Sequence, residues 1–324
     1  MKEILVTGAA GFIGSHLCEA QLAAGRTVHG IDSFSDHYAR GCKELNLVGL
    51  LGHERFVFHE LDIVEEPLDE LVGAVECVFH LAARPGVRDS WNDFEDYARV
   101  NILGTRAVLD ACATHRVRLV YASSSSVYGD AAELPVRETA SPHPISPYGA
   151  SKVMTEVLSG AYAQARGLEA VGLRYFTVYG PRQRPDMALA RFIEAAVGGR
   201  ELSIYGDGRQ LRDFTYVHDV VAATIAAAEQ GRAGAIYNIA SSRPQPLLEV
   251  LDELSRAIGL ELRTTFEDAK AGDVRDTWAC TDLAREELGF QASTPLREGL
   301  TAQVQEAEQR RASPIPLSAS PASR

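Results

Sequence analysis

The chain has 324 residues, 46% of them hydrophobic, and a formal net charge of −12 at pH 7, which suits one large α/β domain or two lobes around a cleft. An acidic chain without long runs of one charge argues against nucleic-acid binding, and no apolar stretch is long enough to span a membrane. The five cysteines form no CxxC pair, so we expect reduced thiols in a cytoplasmic protein rather than a zinc site or a disulfide framework.

Short apolar runs alternate with longer helical patterns over residues 1–178. The predicted strands are, in chain order, "EILVTG", "TVHGID", "RFVFHELD", "CVFHLAA", "VRLVYASS" and "LEAVGLRYF". Helical patterns lie between them, notably over about residues 95–115 and 148–166. This alternation predicts an α/β fold with a doubly wound parallel sheet, which is the Rossmann arrangement.

After about Tyr179 the pattern changes to shorter elements separated by loops that are rich in Pro, Gly and Arg. We expect residues 179–312 to form mainly a smaller C-terminal substrate-binding lobe over the carboxyl ends of the strands, where ligands bind in such sheets. Some of its strands and helices should return to the first domain. The Pro- and Ser-rich end, residues 313–324, is predicted to be a disordered tail.

A glycine motif, "TGAAGFIGSHL", joins the first predicted strand to the first predicted helix. Gly8 permits a tight turn, Gly11 lets the backbone approach a pyrophosphate, and Gly14 lets helix and strand pack closely. The N–H groups at the start of the helix favour phosphate groups. Asp32, at the end of the second strand, can accept both hydroxyls of an adenosine ribose, which favours NAD over NADP. Asp62, after the third strand, is placed for the adenine edge, with an exposed loop aspartate as the alternative.

The stretch "SPYGASK" places Tyr148 and Lys152 four residues apart, on one face of a predicted helix. An ammonium near a phenol favours the phenolate, so we expect Lys152 to lower the pKa of Tyr148 toward neutrality. Tyr148 could then remove a proton from a substrate hydroxyl while the substrate carbon gives a hydride to NAD. Upstream, "SSSSVYG" places four hydroxyls at the end of the fifth predicted strand.

These motifs resemble those of the extended short-chain dehydrogenase/reductases, in the branch that acts on nucleotide sugars. The match also includes "HLAA" at His80, Asn101 followed by "GT", "RYFTVYGPRQRPDM", "YGDGRQLRDFTYVHD" and "GDVRDT", and it runs in family order from about residue 4 to 280. The resemblance implies a tightly held NAD, a C-terminal lobe for a nucleoside diphosphate sugar, and often a homodimer formed through two long helices of each subunit.

By this resemblance, Ser124 would share the 4-hydroxyl of the sugar with Tyr148, with Ser125 as the less favoured holder of that role. Lys152 would hold the nicotinamide ribose, and Thr177 would face the sugar. The resemblance implies further cofactor contacts from residues in the same motifs, namely Phe12, Ile13, Ser33, Ile63, Leu81, Ala82, Ala83, Asn101, Ser123, Tyr175 and Val178.

Members of this branch differ in the reaction step that comes after oxidation at C4 of the sugar. The 4,6-dehydratases have an Asp-Glu pair in the loop at the end of the fifth strand, and the uronate decarboxylases usually have a Glu there. In this chain Ser125 and Ser126 occupy those positions, so dehydration is disfavoured, and decarboxylation less strongly so. What remains is oxidation, rotation of the 4-keto sugar and return of the hydride to its other face, which is a 4-epimerisation.

Arginines downstream bear on the identity of the sugar. A uronate carboxylate that leaves water must be paired, whereas the CH₂OH group of a hexose needs no cation. The stretch "TVYGPRQRPDMA" resembles that of UDP-glucuronate 4-epimerases, which implies that Arg184 meets the carboxylate; a surface or loop-bracing role is the alternative. Met187, in the same stretch, is a further predicted substrate contact by this resemblance. Arg191, one helical turn beyond it, could face the same pocket or be a solvated charge. Arg84 and Arg88, in "ARPGVRDSW", are further candidates.

The same resemblance puts Tyr205 beside the uracil and Arg212 and Arg275 at the diphosphate, with surface ion pairs as the alternative for each arginine. The sequence thus predicts an NAD-dependent UDP-sugar 4-epimerase whose substrate is UDP-glucuronate or, as the alternative, UDP-glucose. A UDP-glucuronate decarboxylase and an NAD-binding protein without catalytic activity are less favoured alternatives.

Overall fold

The structure is a computed structural model that describes residues 3–268 and 274–312. The tail predicted over residues 313–324 lies outside the described residues. The strands are β1 (Glu3–Thr7), β2 (Thr27–Asp32), β3 (Phe56–Glu60), β4 (Cys77–His80), β5 (Arg118–Ser124), β6 (Ala170–Tyr175), β7 (Thr177–Tyr179), β8 (Leu202–Tyr205), β9 (Leu211–Arg212), β10 (Phe214–Tyr216), β11 (Ile236–Ile239), β12 (Gln245–Pro246) and β13 (Thr264–Glu267). The α-helices are α1 (Phe12–Ala23), α2 (Arg40–Leu51), α3 (Asp69–Gly73), α4 (Phe94–Tyr97), α5 (Thr105–His115), α6 (Pro147–Arg166), α7 (Ala188–Val197), α8 (Val217–Gln230), α9 (Leu247–Ile258), α10 (Asp282–Leu288) and α11 (Leu296–Ala312).

A parallel sheet of seven strands forms the centre of the fold, in the order β3-β2-β1-β4-β5-β6-β11. Its first six strands in chain order are the six predicted from the sequence, so the doubly wound Rossmann fold is confirmed. The seventh, β11, comes from the part of the chain after residue 178 and pairs with β6. Because the strand order reverses between β1 and β4, a crevice opens at the carboxyl ends of these two strands.

The two faces of the sheet are covered by different helices, which explains why its inner strands read as continuous apolar runs. Alternate residues of β1 point to opposite faces, so Ile4 belongs to the hydrophobic core that includes Leu17 of α1. Leu5 belongs to the core on the other face, with Val108 and Leu109 of α5. The sheet is therefore a buried middle layer between two helical layers.

The helix predicted over residues 95–115 is present but not uniform. It consists of α4, a π-helical segment over Ala98–Gly104, and α5. A π-helical turn is rare and occurs mostly at functional sites. This segment contains Asn101, whose side chain reaches the loop after β4.

The part of the chain after residue 178 adds three small two-stranded sheets, in which β7 pairs with β10, β8 with β13 and β9 with β12. The last helix, α11, packs on α9 and crosses back to the first lobe, where Arg310 donates a hydrogen bond of 2.7 Å to Asn46 of α2. The lobe boundary near residue 178 stays a prediction. Within the described ranges, no helix combines the length and the apolar character that a membrane span requires.

The close packing of α1 on the glycine turn can be tested by substitution. A Cβ atom at Gly14 would lie 2.0 Å from the carbonyl oxygen of Gly8, a backbone atom that cannot move aside. We expect Gly14→Ala to lower the free energy of unfolding by about 3 kcal/mol or more. Urea-induced unfolding followed by circular dichroism measures this change.

The matched control is Gly49→Ala in α2, where the nearest atom to an added Cβ is 4.0 Å away. Because alanine favours a helix more than glycine does, this variant should be more stable than the parent by about 0.5–1 kcal/mol. A Gly14→Ala protein as stable as its parent would contradict the tight contact between α1 and the turn.

Candidate active site

A cavity of about 470 Å³ opens at the carboxyl ends of the central strands. Its walls come from the glycine turn after β1, the ends of β2 and β5, the loop after β4, the start of α6 and the segment after β6. The sequence-predicted residues that line it are Gly8, Gly11, Phe12, Ile13, Gly14, Asp32, Ser33, Asp62, Ile63, Leu81, Ala82, Ala83, Ser123, Ser124, Ser125, Tyr148, Lys152, Tyr175, Thr177, Val178, Arg184 and Met187. Motifs that are far apart in the sequence therefore meet in one cavity.

The glycine turn fits the pyrophosphate of a dinucleotide. Gly8 has a φ of +75°, and a Cβ there would lie 2.8 Å from the backbone nitrogen of Ala82 in the loop after β4. A Cβ at Gly11 would lie 3.0 Å from the carbonyl oxygen of Gly8. Since α1 begins at Phe12 in the cavity wall, its first N–H groups and positive dipole end suit phosphate oxygens.

Asp32 lies at the cofactor end of the cavity and has more hydrogen-bond and ion-pair partners than the sequence indicated. It accepts hydrogen bonds from the backbone nitrogens of Ala10 (3.2 Å) and Phe34 (2.9 Å). The ammonium of Lys43, a buried residue of α2, lies 3.3 Å from its Oδ1. Lys43 also lines the cavity but was not predicted, because nothing in the local sequence indicates that α2 turns this lysine toward the end of β2.

Asp62 likewise has a cationic partner. Its carboxylate lies 2.9 Å from Nη2 of Arg99, which also pairs with Glu65 at 2.7 Å. Asp62 and Arg99 both line the cavity, so this ion pair forms part of the wall. Arg99 was not predicted as a site residue.

Asn101 lies behind the cavity wall rather than in it. Its Oδ1 accepts a hydrogen bond of 2.7 Å from the backbone nitrogen of Arg84, and its Nδ2 donates to the carbonyl oxygen of Arg84 (3.0 Å) and to the hydroxyl of Ser151 (2.9 Å). The amide thus fastens the loop after β4 to α6. The predicted cofactor contact of Asn101 becomes a bracing role in this geometry.

His80 is a satisfied core group. Its two ring nitrogens lie 2.8 Å from the hydroxyl of Thr7 and 3.1 Å from that of Thr105. Burial lowers the pKa of His80 to about 3, so the ring is neutral at physiological pH.

The catalytic triplet predicted from the sequence comes together where α6 begins. Ser146 caps the helix by accepting a hydrogen bond of 3.1 Å from the backbone nitrogen of Gly149. One turn of helix then brings the phenol of Tyr148 to the hydroxyl of Ser124 at the end of β5, where the two are hydrogen-bonded. Lys152, one turn further, donates a hydrogen bond of 2.9 Å to the carbonyl oxygen of Ala122.

Burial works against the predicted effect of Lys152 on the pKa of Tyr148, which stays a prediction. Burial raises the pKa of Tyr148 above its usual value, because a buried phenolate loses its hydration; the hydrogen bond from Ser124 and the charge of Arg184 offset this only in part. Burial also lowers the pKa of Lys152 to about 8, against the opposing effect of Glu156. The ammonium and amine forms of Lys152 are therefore about equally populated near pH 8.

Hydroxyl groups separate the large cavity from a smaller one of about 170 Å³. Ser125, Ser126 and Thr177 line both cavities. Ser126 was not predicted as a site residue; its backbone nitrogen donates a hydrogen bond of 3.1 Å to the hydroxyl of Ser124. The smaller cavity is completed by Val87, Ile145, Ser146, Arg212, Val274 and Thr277.

Arg184 lines the large cavity, and its charge acts on the phenol of Tyr148. Its Nε and Nη2 donate hydrogen bonds of 3.0 and 2.8 Å to the two carboxylate oxygens of Asp186. The pair holds the guanidinium in one orientation in the cavity wall. Arg84, which also lines the cavity, is engaged by Asp36 at 3.2 Å and Asp96 at 3.0 Å.

The other predicted substrate arginines do not line the large cavity. The guanidinium of Arg88 lies 4.4 Å from the centre of the Tyr205 ring, so these two predicted residues contact each other. Arg212 lines the smaller cavity and donates to the carbonyl oxygens of Leu211, Arg275 and Val274 at 2.6 to 2.8 Å.

Arg191 and Arg275 lie outside both cavities. Arg191 is exposed on α7. The side chain of Arg275 is 84% exposed and lies 3.8 Å from Asp276. Their predicted contacts with the sugar and the diphosphate have no support in this geometry.

Comparisons with known proteins agree with this site. UDP-glucuronate 4-epimerase from Thermodesulfobacterium geofontis is 36% identical over 304 residues, which cover 93% of this chain and 94% of the relative. UDP-glucuronic acid 4-epimerase from Bacillus cereus, solved with UDP-glucuronic acid and NAD, has a TM-score of 0.92 and 39% identity over 95% of this chain and 99% of its own. UDP-glucose 4-epimerase from Thermotoga maritima, solved with UDP-glucose, has a TM-score of 0.87 and 33% identity over 95% and 99%.

The family comparison covers most of the chain. Residues 4–240 match the NAD dependent epimerase/dehydratase family. The match spans the glycine turn, Asp32, the serine-rich end of β5 and the Tyr148–Lys152 spacing. The chain therefore belongs to the NAD dependent epimerase/dehydratase family, as an epimerase, and thus an isomerase, with NAD as its cofactor.

Proposed function

We propose that this epimerase inverts C4 of a UDP-sugar, that its preferred substrate is UDP-glucuronate, and that the product is UDP-galacturonate. The observation that carries the proposal is the presence of Arg184 in the same cavity as the Tyr148–Ser124 pair. Relatives solved with UDP-glucuronic acid and with UDP-glucose support the substrate class. The free cysteines suit a cytoplasmic protein, since thiols stay reduced there.

The chain's own groups account for the proton movement. The hydrogen-bonded pair of Tyr148 and Ser124 can receive the 4-hydroxyl of the sugar. Tyr148 takes its proton as the phenolate, the form that the ammonium of Lys152 and the positive charge of a bound NAD would favour against the effect of burial. The glycine turn and Lys152 would hold NAD, which would supply the hydride acceptor and donor for C4, with rotation of the 4-keto sugar exposing its other face. Tyr148 then gives the proton back, so the cycle consumes neither protons nor cofactor.

A uronate substrate adds a requirement that the arginine can meet. The 4-keto form of UDP-glucuronate is a β-keto acid, which loses CO₂ when the bond from C5 to the carboxylate aligns with the carbonyl π system. Arg184, held by two hydrogen bonds to Asp186, is a fixed cation that can keep the carboxylate out of this alignment. The hydroxyls of Ser125 and Thr177 are further donors at the same place.

UDP-glucose is the alternative substrate, and one observation favours it. The carboxylate of Asp186 already neutralises Arg184. If this pair stays closed when the sugar binds, the C6 pocket is close to neutral and suits a CH₂OH group. The two substrates are therefore distinguished by whether Arg184 leaves Asp186 for the ligand.

Removing Arg184 tests the substrate. We expect Arg184→Ala to lower kcat/KM for UDP-glucuronate by about 100-fold, because the carboxylate loses its charged partner, and to change kcat/KM for UDP-glucose by less than about fivefold. Both rates are measured by NMR of the products, without added NAD. Arg200→Ala, a surface arginine at the end of α7, is the control and should match the parent. Equal losses on both substrates, or formation of a UDP-pentose by the parent enzyme, would count against the proposal.

Removing the phenolic hydroxyl tests the catalytic role of Tyr148. Tyr148→Phe should lower kcat by about 10²- to 10⁴-fold, since proton transfer loses its positioned group, while UDP binding measured by calorimetry stays within about threefold. Tyr162→Phe on the same helix, whose hydroxyl bonds to Asp110, should keep full activity. A fully active Tyr148→Phe enzyme would refute this mechanism.

We also propose that the protein is a homodimer. Four large apolar side chains, Phe94, Leu103, Met154 and Val157, are 42–60% exposed on the outer faces of α6 and of the helical run from α4 to α5. These two helical runs pack on each other. A second copy would remove this apolar surface from water, which stabilises an assembly.

The dimer can be tested by placing a charge on this surface. Val157→Glu should shift the mass measured by light scattering from two chains to one, because a glutamate cannot be buried without a partner. Val48→Glu on α2 is the matched control, since Val48 is 62% and Val157 is 60% exposed. A monomeric parent, or a Val157→Glu protein that stays dimeric, would contradict the proposed surface.

A further inference from the structure

A carboxylate lies directly behind the catalytic residues. Glu156 follows Lys152 by one helical turn and Tyr148 by two, on the face of α6 that packs on β5. Its Oε1 accepts a hydrogen bond of 2.5 Å from the hydroxyl of Ser123. Ser123 is the neighbour of Ala122, whose carbonyl oxygen receives the ammonium of Lys152 at 2.9 Å. Glu156 and Lys152 therefore hold adjacent residues of the same strand end.

Arg174 fixes this carboxylate from the next strand. It lies opposite Ser123 in the register of β5 and β6. Its Nε and Nη2 donate to the two oxygens of Glu156 at 2.8 and 2.7 Å, and the two side chains are 5% and 6% exposed. Its Nη1 donates to the hydroxyl of Tyr128 at 2.7 Å, and that hydroxyl donates to Asn238 of β11 at 2.6 Å. The pair is thus part of a buried network that reaches the edge of the sheet.

The surroundings of Lys152 show what the carboxylate can do. On its own helix Lys152 faces Tyr148 and Glu156; β5 contributes the uncharged Ala122 carbonyl, and β4 contributes His80, which is neutral. Among these groups Glu156 is the one carboxylate. Neither Glu156 nor Arg174 lines the cavities, so neither touches substrate or cofactor.

We propose that Glu156 is a positioning residue for catalysis: clamped by Arg174, it fixes Ser123 at the end of β5 and stabilises the ammonium form of Lys152 beneath the cavity. The inference rests on the catalytic roles proposed above for Tyr148 and Lys152. Burial favours the neutral amine, and the carboxylate opposes it. A neutral Lys152 would no longer supply positive charge to the nicotinamide end of the site.

The experiment measures the protonation of Lys152 directly. The chain has four lysines, so protein labelled with ¹⁵N and ¹³C in lysine gives few side-chain NMR signals, and Lys152→Arg assigns the signal of interest. We expect Glu156→Gln to lower the pKa of Lys152 by about one unit, since an opposite charge is lost nearby. Glu287→Gln, which alters a contact between α10 and Tyr237 of β11, is the control and should leave the signal unchanged.

The pH profile of kcat on UDP-glucuronate supplies the functional readout. The alkaline limb should move to lower pH by the same unit in Glu156→Gln, with about a tenfold loss well above pH 8 and near-parental activity at pH 6.5. A purely structural defect would lower kcat at every pH without moving the limb.

A double variant keeps the inference testable if Glu156→Gln does not fold, because that change leaves a buried arginine unpaired. Glu156→Gln with Arg174→Met removes both charges and should show a fall in the Lys152 pKa in the same direction, smaller because a nearby positive charge is lost as well. A Lys152 pKa within about 0.3 units of the parent value in the folded variant would overturn the proposal. If the Lys152 pKa falls in Glu156→Gln but the parent protein epimerises neither UDP-sugar, the proposed function is refuted and the Glu156–Lys152 coupling stays intact.

Discussion

Helix α6 can lie against the end of β5 because Gly149 has no side chain. A Cβ there would stand 2.5 Å from the carbonyl oxygen of Ser126, so any larger residue would push the helix away from the serine-rich turn. This contact brings the phenol of Tyr148 to Ser124 and the ammonium of Lys152 to the same strand end. The catalytic geometry follows from one backbone approach between a helix and a turn, and the surrounding elements serve to hold it.

The charged groups of the site are arranged as pairs. The pairs in or behind the cavity wall include Asp32 with Lys43, Glu156 with Arg174, and Arg184 with Asp186. Each partner offsets the cost of burying the other, and breaking one pair leaves an uncompensated charge in a low-dielectric region. The negative charges of a UDP-sugar therefore enter a site whose own charges are already balanced. Selectivity then depends on which pair can exchange its internal partner for a ligand group.

Burial opposes one expectation about the chemistry. The spacing of Tyr148 and Lys152 is that of a phenol beside an ammonium, which taken alone lowers the pKa of the phenol. In the folded protein the loss of hydration has the larger effect, and the pKa of Tyr148 is raised. Spacing along a helix reports which groups are neighbours, but the balance of desolvation and charge depends on everything packed around them.

Strong local patterns made most of the sheet predictable. Strands β1 to β6 are apolar runs next to helical patterns, whereas β11 pairs with β6 across a long stretch of chain. The π-helical segment that contains Asn101 has no local signature either. Such features depend on long-range pairing, which a periodicity does not encode.

The site residues divide in the same way. Some features of the site can be predicted locally, because each is a property of a few consecutive residues. They are the glycines that need a positive φ or a close approach, the Tyr148–Lys152 spacing, and the turn of serines without a carboxylate. Only the folded structure shows that Lys43, Ser126 and Glu156 belong to the site or to its support. Only the structure, too, distinguishes Arg184, which lines the cavity, from Arg191 and Arg275, which do not. These outcomes depend on distances between segments that meet only after folding, and such distances leave no trace in local sequence.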